Sequence, residues 1–141
     1  ERMLELINKK ITLKQIEEGI KMTKKIGIKT VCFFIFGLPN ETYEDIKRTI
    51  EFAIKLNPTY ASFHIAIPYP GTVFYEMIKK ECKRTFPNAY TGIFSEEQLK
   101  RIINHAYKKF YLRPSYIFSR LLSGDYSLIL SQIKIFLAHI K

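Results

Sequence analysis

The stretch FFIFGLPNET, residues 33–42, carries a phenylalanine-rich apolar run into a Gly-Leu-Pro turn and then into a helix-starting signal. That junction constrains the fold more than any other feature. A short apolar run rich in β-branched and aromatic residues suits a strand, and Thr42 with Asp45 has capping-box spacing for the helix that follows. A second junction, ASFHIAIPYPGTVFYEMI at 61–78, repeats the plan. Strand, tight turn and helix, twice over, is the repeat of a parallel sheet with helical crossovers.

The neighbouring segments read the same way. Thr12 and Gln15 form a capping pair, and Gly27 stands where a left-handed terminating residue belongs, which predicts a helix over 13–26. The run at 28–36 is apolar almost throughout, as for a strand covered on both faces. Tyr43, Ile46, Ile50, Ala53 and Ile54 mark one stripe of the next helix, which Asn57-Pro58 stops. A second strand is predicted at 60–67, with Ser62, His64 and Ala66 on one side and Phe63, Ile65 and Ile67 on the other. Thr72 opens a third helix that runs into the basic stretch Lys79 to Arg84. Residues 12–80 are therefore expected to be α/β. After a loop at 86–94 only helical signals follow: Ser95 and Gln98 as a capping pair, Pro114 in a first turn, Gly124 as a stop, and a last helix near 127–140.

Composition narrows the class. An apolar fraction of 47% with 26% charged residues is that of a globular chain, and no apolar run approaches the length of a membrane span. No secretory signal is visible in ERMLELINKKI, so a cytoplasmic setting is the expectation. Cys32 and Cys82 are the only cysteines and lack metal-site spacing, so both are expected to pack, Cys32 in a strand and Cys82 near a helix end. The net charge is +10, and residues 100–141 hold eight Lys or Arg against Asp125 alone. Interleaved Tyr107, Lys108, Lys109, Phe110, Tyr111 and Arg113 keep a second reading open, a non-catalytic basic module binding nucleic acid or an acidic partner. The apolar stripe through Ala106 and Phe110 disfavours it.

In a parallel α/β sheet, ligands bind at the carboxyl ends of the strands, and a glycine such as Gly37 lets a ligand approach bare backbone. Both junctions lie there. The segments IFGLPNET and PYPGT, preceded by ERMLELINKKITLKQIEEGIKMTKKIGI, together resemble the second half of the radical S-adenosylmethionine (radical SAM) barrel. More narrowly they resemble its cobalamin-binding subgroup. The match runs over residues 1 to 80, and SEEQLKRIINHAYKKFYLRPSYI at 95–117 is similar to that subgroup's helical extension. The resemblance implies a fold of α/β class: the C-terminal part of a (β/α) barrel with parallel strands over 1–85, then an all-helical extension over 86–141.

The resemblance also implies roles. Residues 28–36 would be the fifth barrel strand and 60–67 the sixth. The family's fifth-strand pattern is Gly-x-Ile-x-Gly-x-x-Glu, in which the isoleucine packs on the SAM adenine. Ile35 and Gly37 match it, Phe33 stands at the first glycine, and Glu41 comes one residue late. Asn40 tolerates a left-handed turn better than most residues. At the end of the sixth strand, Ala66, Ile67 and Pro68 are implied to touch adenine, chiefly through main-chain atoms. His64 and Tyr69 are candidates to meet the substrate.

The family's 4Fe-4S cluster, held by a Cys-x-x-x-Cys-x-x-Cys loop, cleaves SAM reductively to a 5'-deoxyadenosyl radical. That triplet is absent from this sequence, so no catalytic residue and no metal ligand is assigned to the chain. The expectation is a fragment of an enzyme carrying SAM, 4Fe-4S and, in the subgroup, cobalamin. It would be completed by a missing N-terminal half-barrel or a complementing chain, and would act on a small-molecule or lipid-like substrate by methylation, cyclisation or rearrangement. A pseudo-enzyme fragment that folds only against a partner half is a further reading. Two unpaired strand edges would make the isolated chain prone to associate.

Overall fold

Three capping boxes fix where the long helices begin. The hydroxyls of Thr12, Thr42 and Ser95 accept the N–H of Gln15, Asp45 and Gln98, while each partner's side chain accepts the cap residue's own N–H. These satisfy backbone donors that a helix start otherwise leaves open. The computed structural model describes residues 1–80 and 89–122. Its elements are α1 (Arg2–Leu6), α2 (Leu13–Lys25), β1 (Val31–Phe36), α3 (Tyr43–Leu56), β2 (Tyr60–Ile65), α4 (Val73–Ile78), α5 (Glu96–Tyr111) and α6 (Pro114–Leu122). Both expected strands are present, the first beginning at Val31 and not at 28, as are the helices that begin at 13, at 96 after the Ser95 cap, and at 114. Cys82, the continuation of the third expected helix toward Arg84, Gly124 and the helix near 127–140 lie outside the described residues.

β1 and β2 pair in parallel, Val31 opposite Tyr60 through Phe36 opposite Ile65, with α3 as the crossover. Two reciprocal bonds pin the register at its start. Thr30 N–H donates to the Thr59 hydroxyl and Thr59 N–H to the Thr30 hydroxyl, both at 3.0 Å. At the far end Ala66 N–H reaches the Phe36 carbonyl at 2.7 Å. The turns run as their residues dictate: Gly27, Gly37, Asn40 and Asn57 all have positive φ, and Asn57 is the left-handed cap of α3.

One face of this sheet is covered and the other is not. Phe34, Phe36, Ala61 and Phe63 are buried with Ile46, Ile50 and Ala53 of α3 and with Leu99, Ile102, Ala106 and Phe110 of α5 in a single core. On the opposite face Val31, Phe33 and Ile35 are 52%, 68% and 47% exposed. This corrects the expectation of a strand covered on both faces: α3 and α5 lie on the same side, and no described residue covers the other. The second strand also ends earlier than 67, at Ile65. Ile67 is exposed, and Ala66 is buried instead of sharing the open face with His64.

α5 also seals an edge. The outer edge of β2 carries the main-chain groups of Ala61 and Phe63. The Tyr111 hydroxyl accepts from Ala61 N–H at 3.0 Å and donates to the Ala61 carbonyl at 2.7 Å, and the Tyr107 hydroxyl accepts from Phe63 N–H at 3.3 Å. Burial pushes the Tyr111 phenol far above its ordinary pKa, so it stays a donor at any physiological pH. Edge strands left unpaired invite association, and these hydroxyls occupy one such edge. Tyr111→Phe is expected to cost about 1–3 kcal/mol, because it strips both partners from Ala61. Urea unfolding of wild type and variant checks this, and an unchanged midpoint would show that the hydroxyl contributes nothing there.

The interleaved basic and aromatic set is therefore not a surface. Phe110 is fully buried, Tyr107 and Tyr111 serve β2, and Arg113 donates to the carbonyls of Phe110 and Ile54 and to the Asn57 side chain. Only Lys108 and Lys109 of that set are exposed. Arg113, with Lys24 donating to the Leu56 carbonyl at 3.1 Å, closes the C-terminal end of α3, where cations suit the helix dipole.

Candidate functional site

Parallel pairing brings both glycine-proline junctions to the same end of the sheet, since each follows the carboxyl end of its strand. Ile35 lies on the open face one residue before the end of β1. Its cross-strand neighbour is His64. Phe33 is opposite Ser62 in the same tile, so two apolar side chains on one strand face two polar ones on the other.

Gly37 adopts φ +86°, a conformation glycine takes without strain. A Cβ there would lie 3.1 Å from Leu99 Cδ2. The space a side chain would occupy is thus filled by α5, and this glycine lets the helix approach the strand end. Leu99 was not among the sequence candidates, although its place on the apolar stripe of α5 was legible.

Glu41 is 2% exposed and turns back onto its own loop. Its carboxylate accepts Gly37 N–H at 2.5 Å and Leu38 N–H at 3.3 Å. Burial raises its pKa, and those two hydrogen bonds oppose the rise. A carboxylate so engaged shapes the turn. Beside it Arg2 of α1 donates to the Asn40 carbonyl at 3.0 Å and pairs with Asp45, whose own carboxylate closes the α3 capping box. Hydrogen bonds from Thr42 first, then Arg2, hold the Asp45 carboxyl down at about 2. This brace was not foreseen from the sequence, because its partners are 43 residues apart.

At the end of β2 the three implied residues differ. Ala66 is buried with its N–H committed to Phe36, Pro68 is fully buried, and Ile67 is 41% exposed. Tyr69 is exposed at 59%, and its carbonyl accepts from Thr72, the cap of α4. His64 is exposed, with Nε2 2.7 Å from the Ser62 hydroxyl and its ring 5.6 Å from that of Phe33. Along β1, Cys32, Phe34 and Ile35 help to line a cavity of about 470 Å³ bounded by α1, α2 and α3.

An aliphatic side chain exposed at a parallel-strand end, Ile35, with Ile67 open on the neighbouring loop, fits the flat apolar face of an adenine. The same residues do not fit an iron–sulfur cluster. The sequence has two cysteines, and no group of three or more His, Cys, Asp or Glu side chains that could hold a metal occurs among the described residues. No helix among those residues is long and apolar enough to cross a membrane.

Comparison with known proteins identifies the family. The family model described as the radical SAM superfamily matches residues 1–53. An uncharacterised methyltransferase from Pyrococcus horikoshii is 42% identical over 123 residues, covering 80% of this chain and 27% of the relative. The anaerobic magnesium-protoporphyrin IX monomethyl ester cyclase of Rubrivivax gelatinosus is 30% identical over 123 residues, covering 81% and 22%. The oxygen-independent coproporphyrinogen III oxidase of Helicobacter pylori is 41% identical over 44 residues, covering 30% and 10%. The chain spans about a quarter of the length of the first two. By the family model over residues 1–53 and these relatives, the chain belongs to the radical SAM superfamily.

Proposed function

We propose that this chain supplies the fifth- and sixth-strand part of a radical SAM enzyme, with its open sheet face turned to the cofactor and substrate. The observation that carries the reading is Ile35, an exposed aliphatic residue at the carboxyl end of a parallel strand, in the position where the family packs adenine. The division at residue 85 into barrel part and helical extension belongs to the same proposal, with the extension's α5 sharing the barrel core.

SAM, when bound with a reduced cluster, supplies the carbon radical that begins the chemistry. This chain's residues bind, orient and exclude water. Ile35 and Ile67 would lie against the adenine, the Glu41-bonded turn would keep the strand end in place, and His64 and Tyr69 would border the substrate. The cluster would be held elsewhere, by a preceding half-barrel or a second chain that pairs along the open side of β1. The apolar cavity beside β1 supports that placement. Relatives named as a methyltransferase and a cyclase support methylation or ring closure as the reaction. The run from IFGLPNET to PYPGT supports the cobalamin-binding subgroup.

Two results are expected. Iron–sulfur reconstitution of the 141-residue chain alone yields no cluster absorbance, whereas the complete enzyme acquires it; a cluster on the isolated chain would contradict the reading. In the complete enzyme, Ile35→Asp weakens SAM binding by about tenfold or more, since it sets a charge against an apolar face. Unchanged affinity in a titration would remove Ile35 from the site.

A further inference from the structure

On the open face, Ser62 and His64 are the polar half of a tile whose other half is Phe33 and Ile35. His64 is exposed, yet it is held from two sides, by the Ser62 hydroxyl at 2.7 Å on Nε2 and by the Phe33 ring at 5.6 Å. Its Nδ1 makes no hydrogen bond to any described residue. An exposed imidazole ordinarily samples several rotamers. This one is oriented in advance with one nitrogen available, and the hydroxyl adapts to either tautomer: it donates to Nε2 when Nδ1 carries the proton and accepts when Nε2 does. The pair can therefore present Nδ1 as donor or as acceptor.

Register gives that nitrogen a target. Ile35 and His64 face each other across adjacent strands, which lie ~4.8 Å apart. A purine ring system is wider than that spacing, so a base seated on Ile35 reaches the His64 ring. We infer that His64, oriented by Ser62, hydrogen-bonds the adenosyl group of SAM through Nδ1 and helps to position it. This rests on the reading that the open face is the cofactor face, which the Ile35 variant tests separately. His64 is a side-chain contact added beside the main-chain contacts implied for residues 66–68. Ser62 is a positioning residue that acts through it.

The experiment is equilibrium titration of the complete enzyme with S-adenosylhomocysteine, a stable probe carrying the same adenosyl group, alongside His64→Ala, His64→Gln, Ser62→Ala and Ile35→Asp. Loss of one hydrogen bond of this kind weakens binding by about tenfold in His64→Ala. His64→Gln, which keeps a hydrogen-bonding group, recovers part of the loss, and Ser62→Ala gives a smaller loss. A second readout does not depend on affinity: the ¹⁵N resonance of His64 Nδ1 in the wild-type enzyme shifts on saturation with the probe. Thermal melting of each variant checks that it folds. If Ile35→Asp weakens the probe while His64→Ala binds it like wild type and Nδ1 does not shift, the inference is overturned and the cofactor-face reading stands. If the wild type does not bind the probe, or Ile35→Asp leaves binding unchanged, that reading falls and this inference falls with it.

Discussion

Phe110→Ala is expected to lower stability by about 3–5 kcal/mol, the range for truncating a buried phenylalanine. Phe110 is 0% exposed and stands where α5 meets β2 and α6. Its ring centroid lies 4.9 Å from Tyr111, 5.3 Å from Tyr116 and 6.2 Å from Phe63, with the Arg113 guanidinium 4.4 Å above it. Removing it opens a void among three aromatic rings and takes the cation's apolar support, so the neighbours cannot close the gap cheaply. Against a typical total of about 5–15 kcal/mol, the loss would leave the domain marginal. Urea unfolding of the variant tests this, with Phe118→Ala as control: Phe118 is 63% exposed on α6 and should shift stability by no more than about 0.5 kcal/mol. A Phe110 loss below about 1 kcal/mol would mean that α5 does not pack on the sheet as described.

Glu41→Ala is expected to be nearly as damaging, for a polar reason. It leaves the N–H groups of Gly37 and Leu38 buried without their acceptor, at about 1–3 kcal/mol each. Glu41→Gln keeps an acceptor oxygen and should stay within about 1 kcal/mol of wild type, so the pair of variants separates loss of hydrogen bonds from loss of charge. The pH dependence separates them further. Burial raises the Glu41 pKa above 4.5, so the folded state binds this proton more tightly than the unfolded chain. Its contribution is therefore greatest below the ordinary carboxylate range and declines as pH rises through its folded pKa. Glu41→Gln should abolish that decline. Asp45 has the opposite sign: held down at about 2 from 3.8, it stabilises above pH ~4, and that support is lost as pH falls toward 2. Stability measured across acid pH in wild type, Glu41→Gln and Asp45→Asn checks both signs, and a Glu41→Gln profile parallel to wild type would refute the first.

What could be read from the sequence was mostly what a few neighbouring residues decide. Thr12, Thr42 and Ser95 fix helix starts through partners three residues away, and all three capping boxes form as their spacing implies. The left-handed turn at Asn40, with φ +58°, was readable for the same reason. Features that depend on distant partners were not. The run VCFFIF gives no sign of which of its faces is covered, because Phe34 and Phe36 differ from Phe33 and Ile35 only in where α3 and α5 lie. Gly37 was legible as a turn residue, but not as the seat of Leu99, 62 positions along the chain. Tyr107 and Tyr111 resemble a binding surface until β2 is placed beside them, when their hydroxyls are seen to close its edge. Glu41, one residue late against the family pattern, still reaches the turn because a side chain of its length can fold back over four residues.

The central claim is that the uncovered face of β1 and β2 is the one that meets the cofactor. A crystal structure of the complete enzyme with S-adenosylmethionine bound tests it directly. Adenine is expected in van der Waals contact with Ile35, on the side of the sheet that carries Phe33 and His64. Adenine bound away from that face, or the face filled by the protein's own side chains with no room for a ligand, would contradict it.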